Sequence, residues 1–460
     1  MSAMTEQPTT AGASTPEGPA EPAPPTAANA TATAAPTSAS AAVPRRDAAL
    51  RTIYAGSFTA FVGLAIAEVV YPLLVLGFTG KPLLAGLFGV IQFSALVLAS
   101  VPVGNLVDRH DRRRILIGGE TLRAAVATLL AVTLASGHVW LVEIYVAAAV
   151  LGVCQPLGST RTLALRAVAP DGELTRALSV QQAVSAVAQL AGPALGTVLF
   201  SVNRSLPFAA IALGTAISAL CAYAVRFDGR PHTPRPSVTG ANGATDATGT
   251  EVETETDAPA EGPFAGLGII WHHPVMRATM VFLMLVNLVS VPLDLVMIVQ
   301  ARSEGVPTHF IGLILASFAA GGILGAPFIP RLHARLRPGQ VLSCLGLLLT
   351  VATAAVAVPL GGFWMAGWLA AVGFVVPAAQ VLVDVLILQQ VPDHRRGRVL
   401  SAVMTFLGLG LPLGAAFGGS MLQVLSPATV LLGTAAALAC VTCFALAQRD
   451  LRRAEWPAAS

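Results

Sequence analysis

Twelve apolar runs, each close to the length that crosses the hydrocarbon core of a bilayer, constrain this chain more than any other feature. They lie at 53–78, 83–106, 114–136, 140–165, 178–201 and 206–226, and again at 275–300, 308–330, 340–360, 364–390, 398–422 and 426–447. A helix needs about 20 such residues to span. Lipid offers no partner to a backbone N–H or C=O, so each run must satisfy its own hydrogen bonds as a helix. Composition agrees: the chain is 55% hydrophobic and 11% charged, with a mean hydropathy of +0.72, where about a quarter of a soluble protein is charged. The expectation is an all-α integral membrane protein with twelve transmembrane helices.

The runs fall into two groups of six. Residues 1–44, rich in Ala, Pro and Thr, read as a disordered tail; 45–226 form one six-helix bundle; 227–262 read as a solvated linker; 263–449 form a second bundle; and 450–460 close the chain as a tail. The bundles repeat. Pro170, Asp171, Arg176, Ser179, Gly192 and Gly196 are answered 222 positions later by Pro392, Asp393, Arg398, Ser401, Gly414 and Gly418, and Arg109 and Arg113 by Arg331 and Arg335. A six-helix unit duplicated in parallel places a solute site between its copies, near the middle of the membrane. Of the 27 Lys and Arg, all but Lys81, Arg204 and Arg302 fall in alternate loops or on the side of the helices next to them. Basic loops stay in the cytoplasm, so both termini and the linker are expected there, in the plasma membrane.

Charges inside apolar runs are costly and point to function. Glu68 in the first helix, Asp294 in the seventh and Asp384 in the tenth are candidates to carry protons, because a carboxyl group away from water can take a proton from one side and release it to the other. Arg123 and Arg161 are candidates for the substrate cavity, able to attract an anion or neutralise a carboxylate; snorkelling of both to the inner interface is the simpler expectation. Glu120 and Glu143, near run ends, are expected to be solvated. Gly192 and Gly196 are one turn apart on the fifth helix and let another helix approach, while Pro193 permits a bend. The five cysteines lie in apolar runs and the eight histidines do not have metal-ligand spacing, so no metal site and no cofactor are expected. There is no phosphate-binding loop or nucleophile motif, so no enzyme activity is expected either.

The loop Gly104–Arg114 reads Gly-Asn-Leu-Val-Asp-Arg-His-Asp-Arg-Arg-Arg. It resembles the loop between helices 2 and 3 of the major facilitator superfamily, Gly-x-x-x-Asp-Arg/Lys-x-Gly-x-Arg/Lys-Arg/Lys, with matches at Gly104, Asp108, Arg109, Arg113 and Arg114 and Asp111 in place of the second glycine. Val168–Ser179, Val391–Val399, Gly192–Gly196 and Pro412–Gly414 are similar to the enterobactin-exporter and macrolide-efflux branch. The resemblance implies two pseudo-symmetric six-helix bundles, alternating access, a proton-coupled exporter, and a gating role for Asp108, Arg109 and Arg113, which clamp the two halves at their cytoplasmic ends.

The reading is a secondary transporter, acting as a monomer, that exports small amphipathic molecules such as drugs or secondary metabolites and has protons and the lipid bilayer as its partners, without nucleic acid. An importer of a nutrient, a siderophore-type metabolite exporter and a non-transporting receptor or scaffold are the alternatives.

Overall fold

Helices are the only regular elements among the described residues of the computed structural model, which are 38–169, 173–225, 271, 274–390, 403 and 406–448. The linker at 227–262, the tail residues 1–37 and 450–460, and the repeat positions Pro170, Asp171, Pro392, Asp393, Arg398 and Ser401 lie outside them. Twelve helical segments are long and apolar enough to cross a membrane. In the first half these are Ala48–Thr79 (span 1), Pro82–Ser100 (span 2), Arg112–Ser136 (span 3), Leu141–Arg166 (span 4), Leu174–Val202 (span 5) and Leu206–Ala224 (span 6). The second half has Met276–Ser303 (span 7), Thr308–Arg335 (span 8), Pro338–Val356 (span 9), Gly362–Val383 (span 10), Phe406–Val424 (span 11) and Pro427–Ala447 (span 12). The helix of span 1 already begins at Ser38, inside the stretch expected to be a tail; its alanines favour that extension.

Proline sets the breaks. Span 4 passes through a 3-10 turn at Gln155–Leu157, which holds Pro156, and span 8 through another at Ala326–Phe328, which holds Pro327. Span 7 divides into Pro274–Ser290 and Pro292–Ser303. In each case the ring removes a backbone donor and crowds the preceding turn.

The loop between spans 2 and 3 closes without glycine. Only His110 and Asp111 separate the helices Pro82–Arg109 and Arg112–Ala135, and Asp111 has φ −61°, open to any residue. Its carboxylate accepts a hydrogen bond from the Arg113 backbone N–H at 2.9 Å. An N-cap of this kind stabilises a helix by about 1 kcal/mol. Asp111 thus starts span 3 where the family pattern has a glycine in the turn.

The internal repeat is visible in the packing. A Cβ on Gly196 of span 5 would lie 3.0 Å from Ile66 Cγ2 and 3.1 Å from Val70 Cγ2 of span 1, and Gly192 backs onto Ala65 and Ile66. In the second half Gly414 and Gly418 of span 11 back onto Leu288 and Pro292 of span 7. Leu288 and Pro292 stand 222 positions after Ile66 and Val70, the same offset that relates the glycines. Small residues let backbones approach where lipid provides no hydrophobic drive for helices to associate. On the outside of the helices Leu98, Val142, Val202, Leu213 and Val424 are exposed, as lipid-facing side chains should be.

Candidate site between the two halves

Among the described residues, the two halves share a core towards one end. The largest apolar cluster takes Val70, Leu73 and Leu74 from span 1, Phe88 from span 2, Val296 and Ile298 from span 7, and Ile311 and Ile314 from span 8. These residues lie towards the end opposite the Gly104–Arg114 loop. Towards the basic end, Phe282, Leu342, Leu345, Leu382 and Leu438 form a cluster within the second half alone. The close approaches between halves follow the same pattern. A Cβ on Gly86 would lie 2.6 Å from Gly419 Cα; Gly312 backs onto Pro193 and Thr197; Thr197 Oγ1 donates to the His309 carbonyl at 3.3 Å; and Arg302 Nη2 donates to the Leu73 carbonyl at 3.5 Å. Among the described residues, then, the tightest approaches between the halves lie opposite the basic loops, with a looser one nearer mid-helix, where a Cβ on Gly408 would lie 3.4 Å from Val97 Cγ2.

Glu68 and Asp294 lie just on the basic-end side of this shared core. Each side chain is exposed although its helix is flanked by buried neighbours, Ala67, Val69 and Val70 around Glu68, Pro292 and Val296 around Asp294. The two carboxylates belong to different halves. Neither has a hydrogen bond or ion pair among the described residues. Two like charges held in one site repel, and one proton or one cation between them removes that repulsion.

Arg123 and Arg161 lie elsewhere. They are 8% and 6% exposed, and both bind Glu120, itself 4% exposed, inside the first half. Glu120 Oε1 accepts from Arg123 Nη1 at 3.2 Å and from Arg161 Nη2. Arg161 Nη2 also donates to Ser218 Oγ at 3.2 Å, and its guanidinium lies 5.5 Å over the Phe61 ring. The inner-interface position expected for the arginines and the solvated one expected for Glu120 are both corrected here: a carboxylate one turn along span 3 draws the guanidinium groups inward, where a paired charge costs less than a lone one. The sequence carried part of this signal, since Glu120 and Arg123 are three residues apart on one helix face.

Arg113 fastens spans 3 and 6. Its Nε donates to the Ala222 carbonyl at 3.2 Å, its Nη2 to the Tyr223 carbonyl, and its guanidinium lies 5.5 Å from the Tyr223 ring centre. These are among the last carbonyls of a helix, which lack partners within it and attract positive charge. Arg109 and Arg114 are exposed and Gly104 lies within the helix of span 2. The side chains of Asp108 and Asp384 lie outside the described residues, although both positions are helical.

Comparison with known proteins bears on the whole architecture. The Major Facilitator Superfamily profile matches residues 53–307 and 295–459. The multidrug efflux pump Tap of Mycolicibacterium fortuitum is 25% identical over 383 residues, 81% of this chain and 88% of its own. Macrolide efflux protein A of Streptococcus pyogenes is 22% identical over 377 residues, 79% of this chain and 86% of its own. Among solved structures, the nucleoside transporter NupG superposes with a TM-score of 0.65 at 14% identity, covering 87% of this chain and 98% of that one. A bacterial homologue of the lysosomal transporter Spinster, in an inward-facing and unoccupied conformation, gives a TM-score of 0.65 at 15% identity, covering 90% and 99%.

Proposed function

The chain belongs to the major facilitator superfamily, a family of transporters and not of enzymes, and from that premise we propose that it exports small amphipathic molecules by alternating access, driven by the proton gradient. The observation that carries the reading is the pair Glu68 and Asp294, one exposed carboxylate from each half on the basic-end side of the shared core, neither with a hydrogen bond or ion pair among the described residues; we place both in the space between the halves. Protons that enter from outside neutralise the pair; solute from the basic end then displaces them. The names of the relatives, macrolide and multidrug efflux pumps, support export and an amphipathic solute. The distribution of Lys and Arg supports placing the basic end in the cytoplasm; the protein sits in the plasma membrane and acts as a monomer in this reading. Asp384 is a further proton carrier in the second half. Asp108, Arg109, Arg113 and Arg114 gate the basic end, and Gly192, Pro193 and Gly196 form the face along which span 5 slides against span 1.

Inverted membrane vesicles test the direction and the energy source together. With an acidified lumen they are expected to accumulate a macrolide probe, and a protonophore is expected to collapse that accumulation. Accumulation that survives the protonophore would contradict proton drive, and uptake confined to right-side-out vesicles would contradict export.

A further inference from the structure

A second polar site lies inside the first half, apart from the carboxyl pair. Spans 1, 3, 4 and 6 leave a pocket whose wall includes Ile53, Ser57, Leu116, Arg161, Ser218 and Val225. About 20 Å³ of it is open to the centre of a water-sized sphere. Ile53 and Val225 sit at the basic ends of their helices, so the pocket lies on the basic-end side of Arg161.

We propose that this pocket binds a small monovalent anion, chloride, as the counter-ion of the buried arginines. The first reason is charge. Glu120 is the only acid among the described residues that pairs with Arg123 or Arg161, so one carboxylate faces two guanidinium groups and one positive charge is left over. A water molecule cannot cancel it. The second reason is the set of donors. Among the described residues Arg161 makes its hydrogen bonds through Nη2 alone, to Glu120 and Ser218. Ser57, 1% exposed, has a hydroxyl without a partner and stands on the pocket wall. Ser218 Oγ accepts from Arg161, so its own O–H remains free to donate. The buried hydroxyl of Ser57 and the O–H of Ser218, together on the pocket wall with Arg161, suit an occupant that accepts. The third reason is size, since about 20 Å³ is open to the centre of a water-sized sphere, which is room enough for a monatomic ion.

The full-length transporter in detergent provides the test, read as its thermal unfolding midpoint in sodium chloride and in sodium gluconate at equal ionic strength. Chloride is expected to raise the midpoint along a saturable curve, bromide to follow chloride, and gluconate to have no such effect. Ser57→Val should fill the pocket and abolish the chloride-dependent rise while leaving Glu120, Arg123 and Arg161 in place. Should that variant fail to fold, Ser57→Ala deletes only the hydroxyl and is expected to weaken the apparent chloride affinity about tenfold, the effect of losing one hydrogen bond to a charged group. Equal midpoints in chloride and gluconate would overturn the proposal, as would a chloride curve that neither variant changes.

Discussion

Glutamine in place of Glu68 is expected to end proton-driven accumulation in proteoliposomes and to leave the transporter folded and able to exchange one solute molecule for another. A proton crossing about 100 mV releases about 2.3 kcal/mol, and a tenfold gradient costs about 1.4 kcal/mol, so one coupled proton sustains a solute gradient of roughly fiftyfold. Glutamine fills nearly the same space and cannot carry the proton. The steady-state ratio should therefore fall from that order to about one, because only equilibration remains. Glu68 is exposed and makes no hydrogen bond or ion pair among the described residues, so little packing is lost. Loss of exchange together with loss of accumulation would mean that Glu68 holds the solute itself; undiminished accumulation would remove it from coupling.

The largest expected effect on stability lies at Glu120. It is buried and receives Nη1 of Arg123 and Nη2 of Arg161, so Glu120→Ala leaves two guanidinium groups facing one another without a carboxylate. Breaking a buried ion pair by removing one partner typically costs about 3–5 kcal/mol. The variant should show a sharply lowered unfolding midpoint in detergent and poor yield from the membrane. Adding Arg123→Met, which removes one of the stranded charges and keeps an apolar side chain of similar length, is expected to restore a large part of the loss. If Glu120→Ala unfolds like the natural chain, the cluster does not hold the first half together.

Much of the fold was legible because lipid imposes a simple rule: a backbone that finds no partner in the bilayer must be helical, and length alone then marks the spans. The offset of 222 was legible for a related reason, since glycines at helix crossings cannot be exchanged freely; Gly192 and Gly414 meet equivalent places on spans 1 and 7. The candidate carboxylates could be named but not assembled. Nothing in the sequence says whether Glu68 and Asp294 share one space, because that depends on how two distant helices turn. Arg161 reaches Glu120 across a separation of 41 residues, and no local spacing records such a contact. Glu120 was read from its distance to a run end, which measures depth along one helix and ignores what the neighbouring helices bring to it.

The central claim is that solute and protons compete for the Glu68–Asp294 pair, and proton release on solute binding measures it most directly. The purified transporter, in weakly buffered detergent solution at neutral pH, receives a macrolide probe while the pH is followed; a separate thermal-shift titration verifies that the probe binds. The natural chain is expected to release protons in step with binding, and the double variant Glu68→Gln with Asp294→Asn to release none. Probe binding without proton release from the natural chain, or equal release from the double variant, would contradict the account.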